Sequence, residues 1–467
     1  MLYQFLADKI HAQLPFEPTT QQVVCIEKLA QFCTSISSNE NHAFLLTGYA
    51  GTGKTSLVSA LVNVLTELQQ KTVLLAPTGR AAKVFSNYAH QPAYSIHKKI
   101  YRQKSGSNEF QLNFNSHKDT LFFVDEASMI SNIPSTGTNF GSGRLLDDLM
   151  EFVYTGDNCR LILMGDVAQL PPVMQPMSPA LEKLKLESYG LTVTCTELTE
   201  VVRQTAESGI LHNATIIRQA LTNFESTLQL DRTFEDVKCI NGTELIDEIQ
   251  SAFGRSGTEN CIIITRSNKR AVLYNRGIRN QVLFKEDELS NGDLLLITKN
   301  NYFWSKDYPN LEFIANGDIA EIVRIRNYHE MYNLRFADIT LNFLDYDCEI
   351  DTRILIDSLY TETPAAAEQL NKQLFASVEE DFLEISNRRE RYKAMIKSDY
   401  LNALQVKFGY AITCHKAQGG QWQEVFLDQG NITAESIDSD YLRWLYTACT
   451  RAEKKLHLIN FNDNFFN

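Results

Sequence analysis

Four near-continuous apolar runs of strand length alternate with helical patterns through the first third of the chain, and few folds accept such an alternation. HAFLLTG (42–48), KTVLLAPT (71–78), DTLFFVDEA (119–127) and CRLILMGD (159–166) lack the polar alternate positions of a half-exposed strand. Strands that are apolar on both sides need cover on both faces, which is the situation of a parallel sheet. Between the first two runs, Leu57, Leu61, Val64, Leu65 and Leu68 share one helical face. The pattern predicts an α/β fold, a doubly wound parallel sheet.

A second α/β set follows. CIIIT (261–265) leads into a helix-like stretch after Asn268, and DLLLIT (293–298), AEIVRIR (320–326), KFGYAITC (407–414) and EVFLDQ (424–429) read as strands. A helix over 439–455 and a last strand, LHLIN (456–460), complete the set. Two stretches interrupt the rhythm. Residues 98–118 are polar with scattered aromatics and a turn at Ser105-Gly106-Ser107, which predicts an inserted hairpin. Residues 327–406 carry alternating strands and then a charged helical segment, which predicts a second, mainly β insertion. The expected division falls near residue 195, giving units 1–195 and 196–467.

Composition narrows the class. With 467 residues, 44% hydrophobic and 22% charged, the chain has material for a large buried core and is neither disordered nor fibrous. No apolar run reaches the roughly 18 residues of a membrane span. The first residues, MLYQFLADKIHAQLPFEP, read as a short amphipathic helix and not as a signal peptide. The nine cysteines are odd in number and form no C-x-x-C pair, which argues against a disulfide framework or zinc site and for a reducing compartment, the cytosol. The net charge of −13 opposes nucleic-acid binding through the overall field, so any such binding requires a local basic groove.

Gly48-Tyr-Ala-Gly51-Thr52-Gly53-Lys54-Thr55 matches G-x-x-x-x-G-K-[ST] between an expected strand and an expected helix. Glycines let the loop curl so that backbone N–H groups and the helix start, through Ser56, face phosphate oxygens. Lys54 then reaches the outer phosphates and the Thr55 hydroxyl binds Mg²⁺. FFVDEAS (122–128) ends an apolar strand in adjacent carboxylates; one, assigned to Asp125, holds the metal, while Glu126 polarises the attacking water. The two motifs together predict ATP hydrolysis with Mg²⁺.

Four further strings follow in order: Gly165-Asp166-Val-Ala-Gln169-Leu-Pro-Pro-Val, Leu198-Thr-Glu-Val-Val-Arg203-Gln204, Thr413-Cys-His415-Lys416-Ala-Gln418-Gly419 and Tyr446-Thr-Ala-Cys-Thr450-Arg451-Ala. The set of six resembles superfamily 1B DNA helicases, the RecD-like and Dda-like branch, from about Thr19 to Ile459. The resemblance implies two RecA-like cores with ATP between them. It implies that Arg203 and Arg451 bring cations from the second core to the γ-phosphate, whose transfer rests on charge stabilisation. It also implies that Gln169 bonds the γ-phosphate and the attacking water. Gln22 is similar to the glutamine that reads the adenine edge, with Gln21 the competing choice and a helix N-cap at Thr19 or Thr20 the plainer role. Where many relatives have QG-x-E, this chain reads Gln418-Gly-Gly-Gln421, which removes a carboxylate from the nucleotide's neighbourhood.

For DNA the expected contacts are Pro77 and Thr78 with Arg80 and Lys83, then Ser95 and His97 with Lys98 and Lys99, then Thr413, His415 and Lys416. Each group ends a strand or begins a helix, where hydroxyls and backbone N–H groups hold phosphates without reading bases. The resemblance implies an ATP-dependent translocase moving 5′ to 3′ on single-stranded DNA, active at single-strand/duplex junctions in repair, recombination or replication. An RNA-directed helicase and a nucleotide-gated scaffold are the alternatives. Trp422 and Trp444 are expected in the core, and the aromatics Tyr101, Phe110 and Phe114 of the hairpin are expected either to stack on a terminal base pair or to pack on the core.

Overall fold

The computed structural model describes residues 2–35, 41–103, 110–134, 140–202, 208–223, 228–306, 308, 311, 313–346, 348–432 and 436–466. The apolar runs of the first third pair into a six-stranded, all-parallel sheet. Its order is Ala93–Ser95, Lys71–Ala76, Thr120–Val124, Arg160–Gly165, Asn41–Gly48 and Leu191–Leu198. Alternate side chains serve two faces. Phe44, Leu46, Phe123 and Ile162 meet Leu57, Leu61 and Val64 of the helix Lys54–Glu67, whereas Leu45, Phe122 and Leu163 meet Leu146, Leu149 and Phe152 of the helix Leu145–Tyr154. Full burial of one such side chain stabilises by roughly 1.5–3 kcal/mol. The strand Leu191–Leu198 stays in register with Asn41–Gly48 along its whole length, so the first sheet runs past the expected division at 195.

A second all-parallel sheet has the order Ala411–Thr413, Cys261–Thr265, Trp422–Asp428, Ala452–Ile459 and Val237–Ile240. The helix before its penultimate strand is Ser439–Cys449, shorter than expected, because the chain turns at Thr450 into the strand beginning at Ala452.

The second insertion begins earlier than residue 327. Leu294–Ile297, Ile319–Met331, Leu334–Phe343, Cys348–Leu355 and Leu404–Phe408 close into a five-stranded barrel, so two strands expected in the second α/β set belong to the barrel. The alternation of buried and partly exposed positions in Leu334–Phe343 is the mark of a sheet covered on one side. The expected strand 407–414 is divided. Leu404–Phe408 ends in the barrel, and after Gly409 and Tyr410 the chain enters the second sheet at Ala411. Tyr410 pins that crossing, its hydroxyl donating to Asp293 at 3.0 Å.

In the first insertion Tyr101–Gln103 pairs antiparallel with Phe110–Leu112, and its tip, 104–109, lies outside the described residues. Two of its three aromatics are packed away. Tyr101 and Phe110 are buried against Phe140 and, through Phe110, against Tyr302 and Phe313 from the segment between the first two barrel strands, whereas Phe114 is 75% exposed. Among the described residues no helix is long and apolar enough to cross a membrane.

Candidate nucleotide cleft and strand track

The ends of three strands of the first sheet converge on one cleft of about 610 Å³, and the second core closes its far wall. Gly51 and Gly53 take left-handed φ values of 75° and 78°, which L-residues with a Cβ rarely adopt, and so let the loop after Asn41–Gly48 curl back on itself. Lys54 begins the following helix, and its ammonium donates to the carbonyls of Gly48 at 2.5 Å and Tyr49 at 2.8 Å, an internal placeholder for phosphate oxygens. Gly53, Lys54, Thr55 and Ser56 all line the cleft. Thr52 is buried, its hydroxyl bonded to Tyr49 O at 2.8 Å.

Asp125 and Glu126 follow the strand Thr120–Val124. Asp125 accepts from the Glu126 N–H at 2.8 Å, and burial followed by repulsion from Glu126 pushes its carboxyl up to about 7. Two adjacent, partly buried carboxylates fit a divalent cation, and the Thr55 hydroxyl in the same cleft supplies a third oxygen. Glu126 adopts φ 52°, the left-handed region, which costs an L-residue on the order of 1–2 kcal/mol and aims its carboxylate differently from its neighbour's.

Arg451 follows the helix Ser439–Cys449 and is 4% exposed. Its guanidinium donates to Thr447 O, Gly420 O and the Thr450 hydroxyl, and Nη1 lies 3.6 Å from Glu126 Oε1. A cation of the second core thus faces the carboxylate of the first across the cleft. Gln169 is buried, and its Oε1 has no partner among the described residues. An unsatisfied buried carbonyl beside phosphate-binding groups is a site for a hydrogen-bond donor such as water. Arg203 lies outside the described residues.

Gln22 is not free to face a base. Its Oε1 accepts from Thr19 N at 2.9 Å, completing a capping box with Thr19 as N-cap, and its Nε2 donates to Thr52 O at 2.9 Å. Gln21 is held by Thr199, at 2.8 Å from its Nε2 and 2.7 Å from its Oε1. Pro15 and Phe16 line the cleft instead, and Gln421 lines it where many relatives have glutamate.

The sequence reading missed the part played by Asp166 and Tyr446. Asp166, at the end of the strand Arg160–Gly165, is buried, and burial raises its carboxyl above the usual range. The Tyr446 hydroxyl donates to it at 2.6 Å and accepts from the Ala50 N–H at 2.7 Å. Both residues stand within motifs, but nothing local in the sequence pairs positions 280 apart.

The expected DNA contacts follow the C-terminal ends of Lys71–Ala76 and Ala93–Ser95, at one end of the first sheet, and of Ala411–Thr413, at one end of the second. Thr78 caps the helix Gly79–Ala89 and Ser95 caps Ile96–Ile100, each through its hydroxyl. Pro77 precedes the first of these and Thr413 precedes Cys414–Ala417. Arg80 is stacked over Trp422, 3.9 Å from its centroid, and faces Asp345 and Asp318 of the barrel. Lys83 donates to Leu344 O. His97 packs 4.8 Å from the Phe140 ring, and burial lowers its pKa to about 4, so it brings no charge to a strand at neutral pH. His415 is exposed, and Lys416 donates to Asn316. Trp422 and Trp444 are both buried, as expected.

Residues 29–233 match an AAA domain and residues 408–459 match a UvrD-like helicase C-terminal domain. The chain is 25% identical to an uncharacterized protein of Acanthamoeba polyphaga mimivirus, over 94% of this chain and 98% of that protein. It is 24% identical to the ATP-dependent RecD2 DNA helicase of Deinococcus radiodurans over 88% of this chain, and spans 46% of that longer protein. A solved Pif1 helicase from Bacteroides, in complex with ADP-AlF3 and single-stranded DNA, is 16% identical over 97% of this chain and 95% of that one, with a TM-score of 0.47. With six motifs in order, and an AAA-domain match followed by a UvrD-like helicase C-terminal match, the chain is a superfamily 1B helicase of RecD-like type.

Proposed function

We propose that the protein is an ATP-dependent helicase that translocates on single-stranded DNA, 5′ to 3′, and unwinds duplex at single-strand junctions in DNA repair, recombination or replication. The observation that carries this reading is the cleft in which Lys54, Asp125 and Glu126 of one core meet Arg451 of the other. The loop Gly48–Lys54 and the start of the following helix bind the nucleotide phosphates. Thr55 and Asp125 hold Mg²⁺, which neutralises phosphate charge when bound. Glu126 takes the proton of the attacking water. Lys54 and Arg451 stabilise the charge that develops on the γ-phosphate, Arg203 adds a second cation from the second core, and Gln169 orients the water. Gln22 braces the phosphate loop through its bond to Thr52, and Pro15 and Phe16, which line the cleft, border the adenine side.

Because the cleft lies between the cores, nucleotide binding draws them together and hydrolysis releases them. The strand lies along Pro77–Arg80, Ser95–His97 and Thr413–Lys416, held by backbone N–H groups, hydroxyls and a few cations, which reconciles DNA binding with a net charge of −13. The nine cysteines are all unpaired, in keeping with a reducing cytosol.

The test is Glu126→Gln, which keeps the shape and removes the base. ATP and strand binding should persist while DNA-stimulated turnover stops; normal turnover in the variant would sink the assignment. Greater stimulation of the wild type by single-stranded RNA than by DNA would make it an RNA helicase, and background hydrolysis with either would leave a nucleotide-gated scaffold.

A further inference from the structure

A cavity of about 470 Å³ lies between the helix Asn268–Gly277, the barrel strand Leu404–Phe408 and the helix Pro364–Glu380. Three ammonium groups border it: Lys299 just after the barrel strand Leu294–Ile297, Lys407 on the barrel strand, and Lys416 from the second core. Lys299 and Lys407 have no ion pair among the described residues, and Lys416 donates to a neutral partner, Asn316. The one carboxylate on the lining, Glu368, is already paired with Lys372 at 2.6 Å.

This arrangement is costly without a ligand. Like charges repel, and more strongly where solvent is partly excluded. Burial, then repulsion from Lys407, pulls Lys416 down to about 8, and burial lowers Lys299 and Lys407 as well. Two helix starts add to the same field: Asn268 opens one helix and Thr363 caps the other, and both line the cavity. An anion resolves the repulsion, and the volume accommodates a nucleotide. Thr413 and Lys416 line this cavity too, so it continues the track beyond the motif Thr413–Gly419.

We infer that this cavity is a phosphodiester-binding site for the single strand, with Lys299 and Lys407 as strand-binding residues outside the motifs. The inference rests on the proposed strand-binding function. It places the barrel in direct contact with the strand, one or two phosphates beyond Thr413–Lys416.

The experiment measures binding of oligothymidylates of about 4 to 16 nucleotides across a salt series, for wild type, Lys299→Ala/Lys407→Ala and Lys299→Arg/Lys407→Arg. Two lost phosphate contacts on a single strand should lower the slope of log K against log salt by about 1.4. The loss should be present with long oligomers and absent with those too short to reach the cavity, and the arginine pair should restore it. Wild-type binding with an unchanged slope in the alanine pair overturns this inference and leaves the helicase reading standing. A wild type that binds no strand overturns that reading first. Inorganic phosphate at matched ionic strength is the remaining arm: competition that removes the difference between wild type and the alanine pair supports the site, whereas phosphate bound by the wild type with no such difference in strand binding makes it a free-anion site and the strand assignment fails.

Discussion

The Tyr446 hydroxyl donates to Asp166 Oδ2 at 2.6 Å, so a side chain of the second core completes the hydrogen bonding of a buried carboxylate in the first. The same oxygen accepts from the Ala50 N–H of the phosphate loop. One phenol therefore ties the loop, the strand end and the opposing core together, and separation of the cores breaks both of its bonds.

Tyr446→Phe removes that oxygen and leaves the ring. Orphaning the Asp166 oxygen and the Ala50 N–H should cost about 1–3 kcal/mol. The urea midpoint should fall and ATP turnover with it. An unchanged midpoint would show that water replaces the hydroxyl without loss.

Arg451→Ala should lower kcat much more than it raises KM, because the cation acts where charge develops. Arginines in this role are worth about 10³–10⁵ in rate. Lysine at the same position should restore little, since it cannot keep the three donor contacts to Thr447, Gly420 and Thr450. A change confined to KM would reduce Arg451 to ground-state binding.

Stability of the ligand-free protein should decline as pH rises through the neutral range. Burial, then the nearby Asp345 charge, raises Asp318 from 3.8 to about 8. A carboxyl raised on folding favours the fold fully below 3.8 and loses that contribution as pH climbs toward 8. Asp318→Asn should flatten the profile in that window, leaving the smaller slope from Asp125, which is raised to about 7. A wild-type profile that rises from pH 4 to pH 8, matched by the variant, would refute the assignment.

Phe114→Ala should impair duplex unwinding while strand-stimulated hydrolysis survives, if the hairpin is the separating element, because Phe114 is the aromatic of the three that remains exposed. Stacking of one base on an aromatic ring is worth about 1–3 kcal/mol. Tyr101→Ala should act differently. It opens the cluster with Phe110 and Phe140 and removes the 2.6 Å bond to Asp148, so thermal stability should fall. Full unwinding by Phe114→Ala would put the wedge elsewhere.

Four of the six strands of the first sheet were legible because each is an apolar run followed by a turn and a helix face; Ala93–Ser95 is too short and Leu191–Leu198 too polar at its intervening positions to declare itself. Lys54, Asp125 and Glu126 were legible for the same reason, since parallel strands deliver their C-terminal ends to one edge. The barrel was not, because Leu294–Ile297 reads like any buried strand until its antiparallel partner at 319–321 is known. The pairing of Tyr446 with Asp166, and of Phe110 with Tyr302 and Phe313, joins residues about 200 positions or more apart. Such pairs are set by packing of whole units, and no local spacing encodes them. His97 misled for a related reason: its motif context suggested a strand contact, whereas Phe140, far along the chain, takes its ring.

Gly79 carries a last consequence. The Tyr346 hydroxyl of the barrel lies where a Cβ on residue 79 would approach to 1.9 Å, so the barrel rests on the first core through a gap that only glycine leaves. The barrel is also continuous with the second core through Gly409 and Tyr410. Lys83, one turn further along the same helix, donates to Leu344 O and reinforces the seat. A side chain at position 79 would therefore act on the bearing between the two units and leave the core of each untouched.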